Sequence, residues 1–244
     1  MRAEAGPPDL RLIVITDARL AAPRALEDVV AAALEAGAPA VQLRDKRAMP
    51  SALYRQAIRF REITRHHGAL LFVNDRLDVA LAAAADGVHL GTADLPVDAA
   101  RRAVAAARSA ADRAADRAVD RAVDRAVDRA AVRAPERFLI GFSCDDPTAA
   151  RAAEAAGADY IGCGAVFGTS SKAEAGDERI GTERLGEVVR AVRIPVVGIG
   201  GITPENAPLV AASGAAGAAI IGSVMAAADV AAAVRSLMVP FARG

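Results

Sequence analysis

Glu35-Ala36-Gly37-Ala38-Pro39-Ala40-Val41-Gln42-Leu43-Arg44-Asp45-Lys46 holds the end of one structural element and the whole of the next. The stretch up to Ala36 has helical character, and Gly37 stands where a helix commonly ends in a left-handed residue. An apolar run, Pro39 to Val41, then leads into Gln42, Arg44 and Lys46, spaced two apart. A strand alternates its faces, so these three polar side chains point the same way. Two cations and an amide at the end of an apolar strand are out of place in an ordinary core, because an unpartnered buried charge costs several kcal/mol. An anion is therefore expected beside them.

The same pattern recurs along the chain. Strand candidates are 10–16, 40–44, 69–74, 87–90, 138–144, 160–166, 195–200 and 218–222, and each is followed by a helical segment. Ala155-Ala156-Gly157 and Ala212-Ser213-Gly214 repeat the helix ending of Glu35-Ala36-Gly37. Strict alternation of strand and helix implies a parallel sheet, and eight such units favour a closed (β/α)8 TIM barrel. The alternative is an open Rossmann-like sheet, but the first strand runs into Ile15-Thr16-Asp17 rather than a Gly-x-Gly-x-x-Gly turn. The 244 residues suit one barrel of about 250 residues, so residues 1–244 are read as a single domain.

Composition agrees. Hydrophobic residues make up 53% but aromatics only 3%, with no Trp, so the core must come from Ala, Val, Leu and Ile. Thirty basic residues balance thirty acidic ones, so no overall field draws the protein to nucleic acid or to a membrane surface, and any anion site is local. Cys144 and Cys163 lack metal-ligand spacing and imply neither a disulfide framework nor a zinc site, which fits the cytoplasm. The N-terminal residues have the wrong order of charge and apolarity for a signal peptide. Residues 207–228 carry no charge, but their Ala content and their interruptions by Pro208, Ser213, Gly214, Gly217 and Gly222 read as helix, turn and buried strand rather than a membrane span.

Between 111 and 129, Ala-x-Asp-Arg recurs with a period of four. That period drifts around a 3.6-residue helix, so its Ala and Val positions cannot hold one buried stripe. The reading is a low-complexity insertion that lengthens the fourth helix into solvent; a partner-binding arm is the alternative.

In such a barrel the chemistry lies at the C-terminal ends of the strands. There the chain places Gln42, Arg44 and Lys46, then Asn74-Asp75, then Asp94 beyond His89, then Ser143. Gly168-Thr169-Ser170-Ser171-Lys172 and Gly198-Ile199-Gly200-Gly201 follow. Asp75 and Asp94 leave neighbouring strands, which lie about 4.8 Å apart, so the two carboxylates could share one hard cation. Oxygen ligands without a His or Cys cluster favour Mg²⁺ over Zn²⁺. Helix N-capping is the other reading of these acids. Gly200, Gly201 and Gly222 offer backbone N–H groups for a second anion. His89 is read as a residue of the barrel interior bonded to a neighbour, with a catalytic role as the alternative.

These residues resemble the thiamine-phosphate synthase family. The matching motifs are Val41-Gln42-Leu43-Arg44-Asp45-Lys46, Phe72-Val73-Asn74-Asp75-Arg76, Ala85-Asp86-Gly87-Val88-His89-Leu90-Gly91 and Gly141-Phe142-Ser143. Ala158-Asp159-Tyr160-Ile161-Gly162, Thr169-Ser170-Ser171-Lys172 and Gly198-Ile199-Gly200-Gly201-Ile202 complete the series. The resemblance implies an enzyme that joins a hydroxymethylpyrimidine diphosphate to a thiazole phosphate with release of pyrophosphate, by a dissociative substitution assisted by one Mg²⁺. Small molecules are its implied partners, without nucleic acid or membrane, and a homo-oligomer is left open.

By the same resemblance Gln42 faces the pyrimidine, Arg44, Lys46, Asn74 and Lys172 hold the diphosphate, and Ser143 also touches the pyrimidine diphosphate. Asp75 and Asp94 hold the metal. Thr169 and Ser171, with Gly201 and the Ile221-Gly222 backbone, hold the thiazole phosphate, and Leu43, Asp45 and Ser170 lie within the same substrate-binding segments. Arg44, Lys46, Ser143 and Lys172 are the implied catalytic set. Two departures stand out. Gly168-Thr169-Ser170-Ser171-Lys172 replaces the usual Pro-Thr-x-Thr-Lys, and Gly222 stands where Ser is usual, so that hydroxyl is lost unless Ser223 supplies it. A related thiazole tautomerase and non-catalytic regulators share the barrel but have no need of the full diphosphate and metal set.

Overall fold

The computed structural model describes residues 7–121, 137–168 and 179–242. The elements in chain order are β1 (Leu12–Ile15), α1 (Ala18–Ala21), α2 (Leu26–Glu35), β2 (Ala40–Leu43), α3 (Pro50–His66), β3 (Leu70–Asn74) and α4 (Leu77–Ala82). Then come β4 (Gly87–Leu90), α5 (Val97–Arg121), β5 (Leu139–Ser143), α6 (Pro147–Ala155), β6 (Tyr160–Cys163) and α7 (Gly181–Ala191). The chain continues through β7 (Val196–Ile199), α8 (Ala207–Ala212), β8 (Gly217–Ile220), α9 (Gly222–Met225) and α10 (Val230–Met238). The strands close in sequence order, β1 to β8 and back to β1, and every pair is parallel. This is a (β/α)8 TIM barrel.

Local chemistry sets the boundaries. Gly37 and Gly157 follow α2 and α6 with φ of 98° and 100°, the left-handed turn that a side chain resists. Asp146 caps α6 by accepting from the N–H groups of Thr148 and Ala149 at 2.8 and 2.9 Å, just ahead of Pro147. Several strands are shorter than the apolar runs suggest. The second ends at Leu43 because the Arg44 N–H donates to the Thr16 hydroxyl at 2.9 Å instead of to a ladder carbonyl. The eighth ends at Ile220, so Gly222 opens a short helix rather than closing a strand.

Register defines the interior. Residues directly opposite in a parallel ladder face the same side, which groups Ile15, Gln42 and Phe72, then Asn74, His89 and Gly141, then Tyr160. The rings of Phe72 on β3 and Tyr160 on β6 have centroids 5.4 Å apart, although those strands are not neighbours. Only the lumen permits that contact, so this side faces inward. The other side carries Leu12, Val14, Val41, Leu43, Leu71, Val73, Val88, Leu90, Ile140 and Ile161, all buried against the helices. Each such side chain contributes about 1.5–3 kcal/mol by leaving water.

The foot of the barrel, away from the strand C-termini, is tied by charge. Asp86, just before β4, accepts from the Leu71 N–H of β3 at 2.8 Å and pairs with Arg61 of α3. Asp159, just before β6, accepts from the Ile140 N–H of β5 at 2.7 Å and pairs with Arg101 of α5.

Helix α5 is buried against the barrel at Val97, Ala100 and Val104, and from Ala105 to Arg113 no residue is fully buried. The helix nevertheless continues to Arg121, about 25 Å beyond Val104 at 1.5 Å per residue. The rest of the four-residue repeat, 122–129, lies outside the described residues. Among the described residues no helix is long and apolar enough to cross a membrane, and the uncharged 207–228 stretch spans α8, β8 and α9.

Candidate active site

Gln42 sits one residue before the end of β2, inside the lumen and 3% exposed. Above it the strand has ended, so Arg44, Asp45 and Lys46 belong to the β2–α3 loop rather than to an alternating strand. Thr16, the residue after β1, holds the start of this loop. Its Oγ1 accepts from the Arg44 N–H and donates to the Arg44 carbonyl at 3.3 Å. The Arg44 Nε is buried and has no hydrogen-bond partner among the described residues. A buried guanidinium N–H without an acceptor marks a place where an anion would be stabilised. The other two residues of the segment point elsewhere. Leu43 faces the helices, and the exposed Asp45 closes its own turn by accepting from the N–H groups of Arg47 and Ala48.

Asn74 ends β3 and pairs in register with His89, which places it on the inward side. The next residue, Asp75, has φ of 61°, a left-handed conformation uncommon outside glycine, and its N–H donates to the His89 carbonyl at 2.8 Å. That turn brings its carboxyl against Asp94, whose own Oδ2 accepts from the Gly91 N–H at 2.6 Å. Burial, followed by the hydrogen bond to Asp94 and its charge, pushes the Asp75 carboxyl up to about 6. The positive charges of Lys46 and Arg44 pull the other way, so all four side chains share one neighbourhood. Two carboxylates that share a proton can instead share a cation. Among the described residues no set of three His, Cys, Asp or Glu side chains could hold a metal ion. The donor pair fits Mg²⁺, which takes one or two carboxylates and fills its remaining positions with water and phosphate.

Ser143 ends β5 on the inward side and is half-buried. Its Oγ lies 2.8 Å from Nε2 of His89, whose Nδ1 lies 3.0 Å from the Tyr160 hydroxyl. His89 and Tyr160 are buried, and the strands make room for them. A methyl at Gly141 would sit 2.1 Å from the Tyr160 ring, and one at Gly162 would sit 2.9 Å from the His89 ring.

Across the mouth, β7 runs into Gly200 and Gly201. Gly201 is packed so closely that a methyl there would meet the Gly168 carbonyl at 2.5 Å. Ile221 and Gly222 follow β8, and a methyl on Gly222 would meet nothing within 4 Å, so space for a side chain exists there. The Ser223 hydroxyl does not fill it, because it donates to the Ile202 carbonyl at 2.7 Å. Thr169, Ser170, Ser171 and Lys172 lie outside the described residues; Gly168, just before them, rests against Gly201. Two contributors escaped the sequence reading. The polar Thr16 at a strand end was one available signal, and a lone Tyr160 facing glycines was the other.

Comparison with known proteins identifies the lineage. The sequence profile of thiamine monophosphate synthase matches residues 12–124 and 122–224. The thiamine-phosphate synthase of Moorella thermoacetica is 41% identical over 97% of this chain and 99% of its own. The chain belongs to the thiamine-phosphate synthase family. Another thiamine-phosphate synthase, from Methanoregula boonei, is 42% identical over 93% of the chain and 91% of its own length. The thiamine phosphate pyrophosphorylase of Pyrococcus furiosus superposes with a TM-score of 0.76 at 37% identity, covering 96% of each chain. Membership makes this a transferase of thiamine biosynthesis, and the two profile segments meet at 122–124, within the Asp-Arg repeat.

Proposed function

We propose that the chain condenses a hydroxymethylpyrimidine diphosphate with a thiazole phosphate, giving thiamine phosphate and pyrophosphate, with one Mg²⁺ at Asp75 and Asp94. The observation that carries this reading is the convergence of that carboxylate pair with Arg44 and Lys46, the guanidinium Nε of Arg44 being buried without an acceptor among the described residues. Gln42, on the lumen wall, faces the pyrimidine. Asn74, Ser143 and Lys172 join Arg44 and Lys46 on the diphosphate.

The reaction needs no protein nucleophile. As the bond from the pyrimidine methylene carbon to the diphosphate oxygen breaks, the electron pair leaves with pyrophosphate and positive charge is left on the methylene. The thiazole nitrogen then captures that carbon. Arg44, Lys46 and Lys172 stabilise the departing charge in a recess where electrostatic interactions are stronger than in water. Bound Mg²⁺ would add further neutralisation of the diphosphate oxygens. The inward neighbours of Gln42 in register, Ile15 and Phe72, are buried and apolar, which limits the water that would otherwise trap the methylene cation. Gly201, Ile221 and Gly222 with Thr169 and Ser171 hold the thiazole phosphate, without the side-chain hydroxyl usual at the Gly222 position.

The test is direct. Purified protein with both substrates and Mg²⁺ should release pyrophosphate and form thiamine phosphate in equal amounts. Conversion of the thiazole phosphate alone, without pyrophosphate, would assign the chain to the tautomerase side of the fold instead.

A further inference from the structure

Three groups in the lumen form a line from the core to the mouth. Tyr160 is 1% exposed, His89 is 9% exposed, and Ser143 opens half-buried toward the strand ends. Their contacts, 3.0 Å from the Tyr160 hydroxyl to Nδ1 and 2.8 Å from Nε2 to the Ser143 Oγ, use both ring nitrogens of His89.

Satisfaction of donors decides where the protons lie. A buried phenol O–H must donate to something, and the one hydrogen bond of the Tyr160 hydroxyl among the described residues is to His89 Nδ1. Burial raises the phenol far above its ordinary value, so it keeps its proton throughout the working pH range. With Nδ1 accepting from the phenol, a neutral imidazole carries its proton on Nε2 and donates it to the Ser143 Oγ. An oxygen that already accepts from inside the barrel turns its own hydrogen outward. Glycines 141 and 162 leave the room that the two rings occupy, because any side chain there would collide with them.

We propose that Tyr160 and His89 are positioning residues that fix the Ser143 hydroxyl as a hydrogen-bond donor into the barrel mouth, aimed at the departing diphosphate. The last clause rests on the synthase reading. The opposite arrangement would turn a serine lone pair toward an anion gaining charge, so the direction of this one proton separates help from hindrance.

The experiment has two arms. In the first, ¹⁵N-histidine spectra of the full chain contain only three side chains, His66, His67 and His89. His66→Gln and His67→Gln identify the two at the C-terminal end of α3. The His89 pattern should show protonated Nε2 and bare Nδ1, and Tyr160→Phe should shift it toward the other tautomer; protonated Nδ1 in the unaltered protein overturns the proposal. In the second arm, Tyr160→Phe should lower kcat about tenfold, the scale of one net hydrogen bond, with KM for the thiazole phosphate unchanged. In a Ser143→Ala background the same substitution should change kcat less than twofold. Equal losses in both backgrounds would mean that Tyr160 acts by packing and not through Ser143, which overturns the positioning role. If the unaltered protein has no synthase activity, the functional reading fails, while the spectra still decide the proton placement.

Discussion

Thr16 grips the backbone of Arg44 from both sides, accepting from its N–H at 2.9 Å and donating to its carbonyl at 3.3 Å. One hydroxyl just beyond β1 thereby fixes where Arg44, the more buried of the two described cations of the segment, begins. Thr16→Val keeps the shape and removes both bonds, and is expected to raise KM for the pyrimidine diphosphate about five- to tenfold. Thr16→Ser should stay near the parent value. Steady-state kinetics on the two variants check this, and equal KM values for both would remove Thr16 from the account.

The Asp75 carboxyl predicts a pH dependence with a definite sign. Its value in the fold is raised, to about 6, above the ordinary carboxylate value near 4. The folded state therefore binds the proton more tightly than the unfolded chain. The stabilisation is fully present below about pH 4 and is lost as pH rises through 6. Asp75→Asn does not titrate and tolerates the left-handed backbone, so without metal its Tm should gain on the parent's between pH 5 and pH 7.5. Added Mg²⁺ should raise the parent's Tm at pH 7.5, have less effect at pH 5, and do little to the variant. Thermal melts at the two pH values, with and without metal, decide the matter; a constant Tm difference would mean that Asp75 is not the titrating group.

On turnover, Asp75→Asn and Lys172→Ala are each expected to lose at least about 10²-fold in kcat, on the scale of removing one preorganised electrostatic group. Far-UV dichroism should be unchanged. Near-normal rates in both variants would contradict the roles proposed for the pair.

Much of this architecture could be read beforehand, for local reasons. Each strand is a short apolar run, and a glycine that ends a helix stands ahead of the second, third, sixth and eighth, so all eight appear in the sequence. Alternation placed Gln42, Arg44 and Lys46 on one side, but the strand ends at Leu43 and the two cations follow in a loop. Strand ends were less legible, because β2 stops where a hydroxyl 28 residues earlier takes over from the ladder. The Tyr160 contact with His89 spans 71 residues and depends on glycines that leave space rather than fill it. Neither is a local property. Asp45 went the other way, since its place in a charged segment hid a carboxylate that serves its own turn.

Replacing 111–129 with a short Gly/Ser link should leave activity within about threefold. Helix α5 has its last fully buried side chain, among those described, at Val104, and lengthening such a connection costs little closure entropy. Rates and light scattering on the shortened protein test this. Lost activity in a folded protein, or a changed oligomeric state, would make the repeat a working part.

The two clamps at the foot of the barrel share one plan. In each, an arginine from the helix before an odd-numbered strand meets an aspartate just ahead of the following even-numbered strand, and that aspartate holds the N–H of the odd strand's second residue. The middle half of the molecule is thus one module used twice, from α3 to β4 and again from α5 to β6. Arg61→Ala and Arg101→Ala should both lower Tm and leave KM untouched, Arg101→Ala by more, because Arg101 also donates to the Gly157 and Phe138 carbonyls. The end that performs the chemistry can then change its substrates without renegotiating how the barrel is tied.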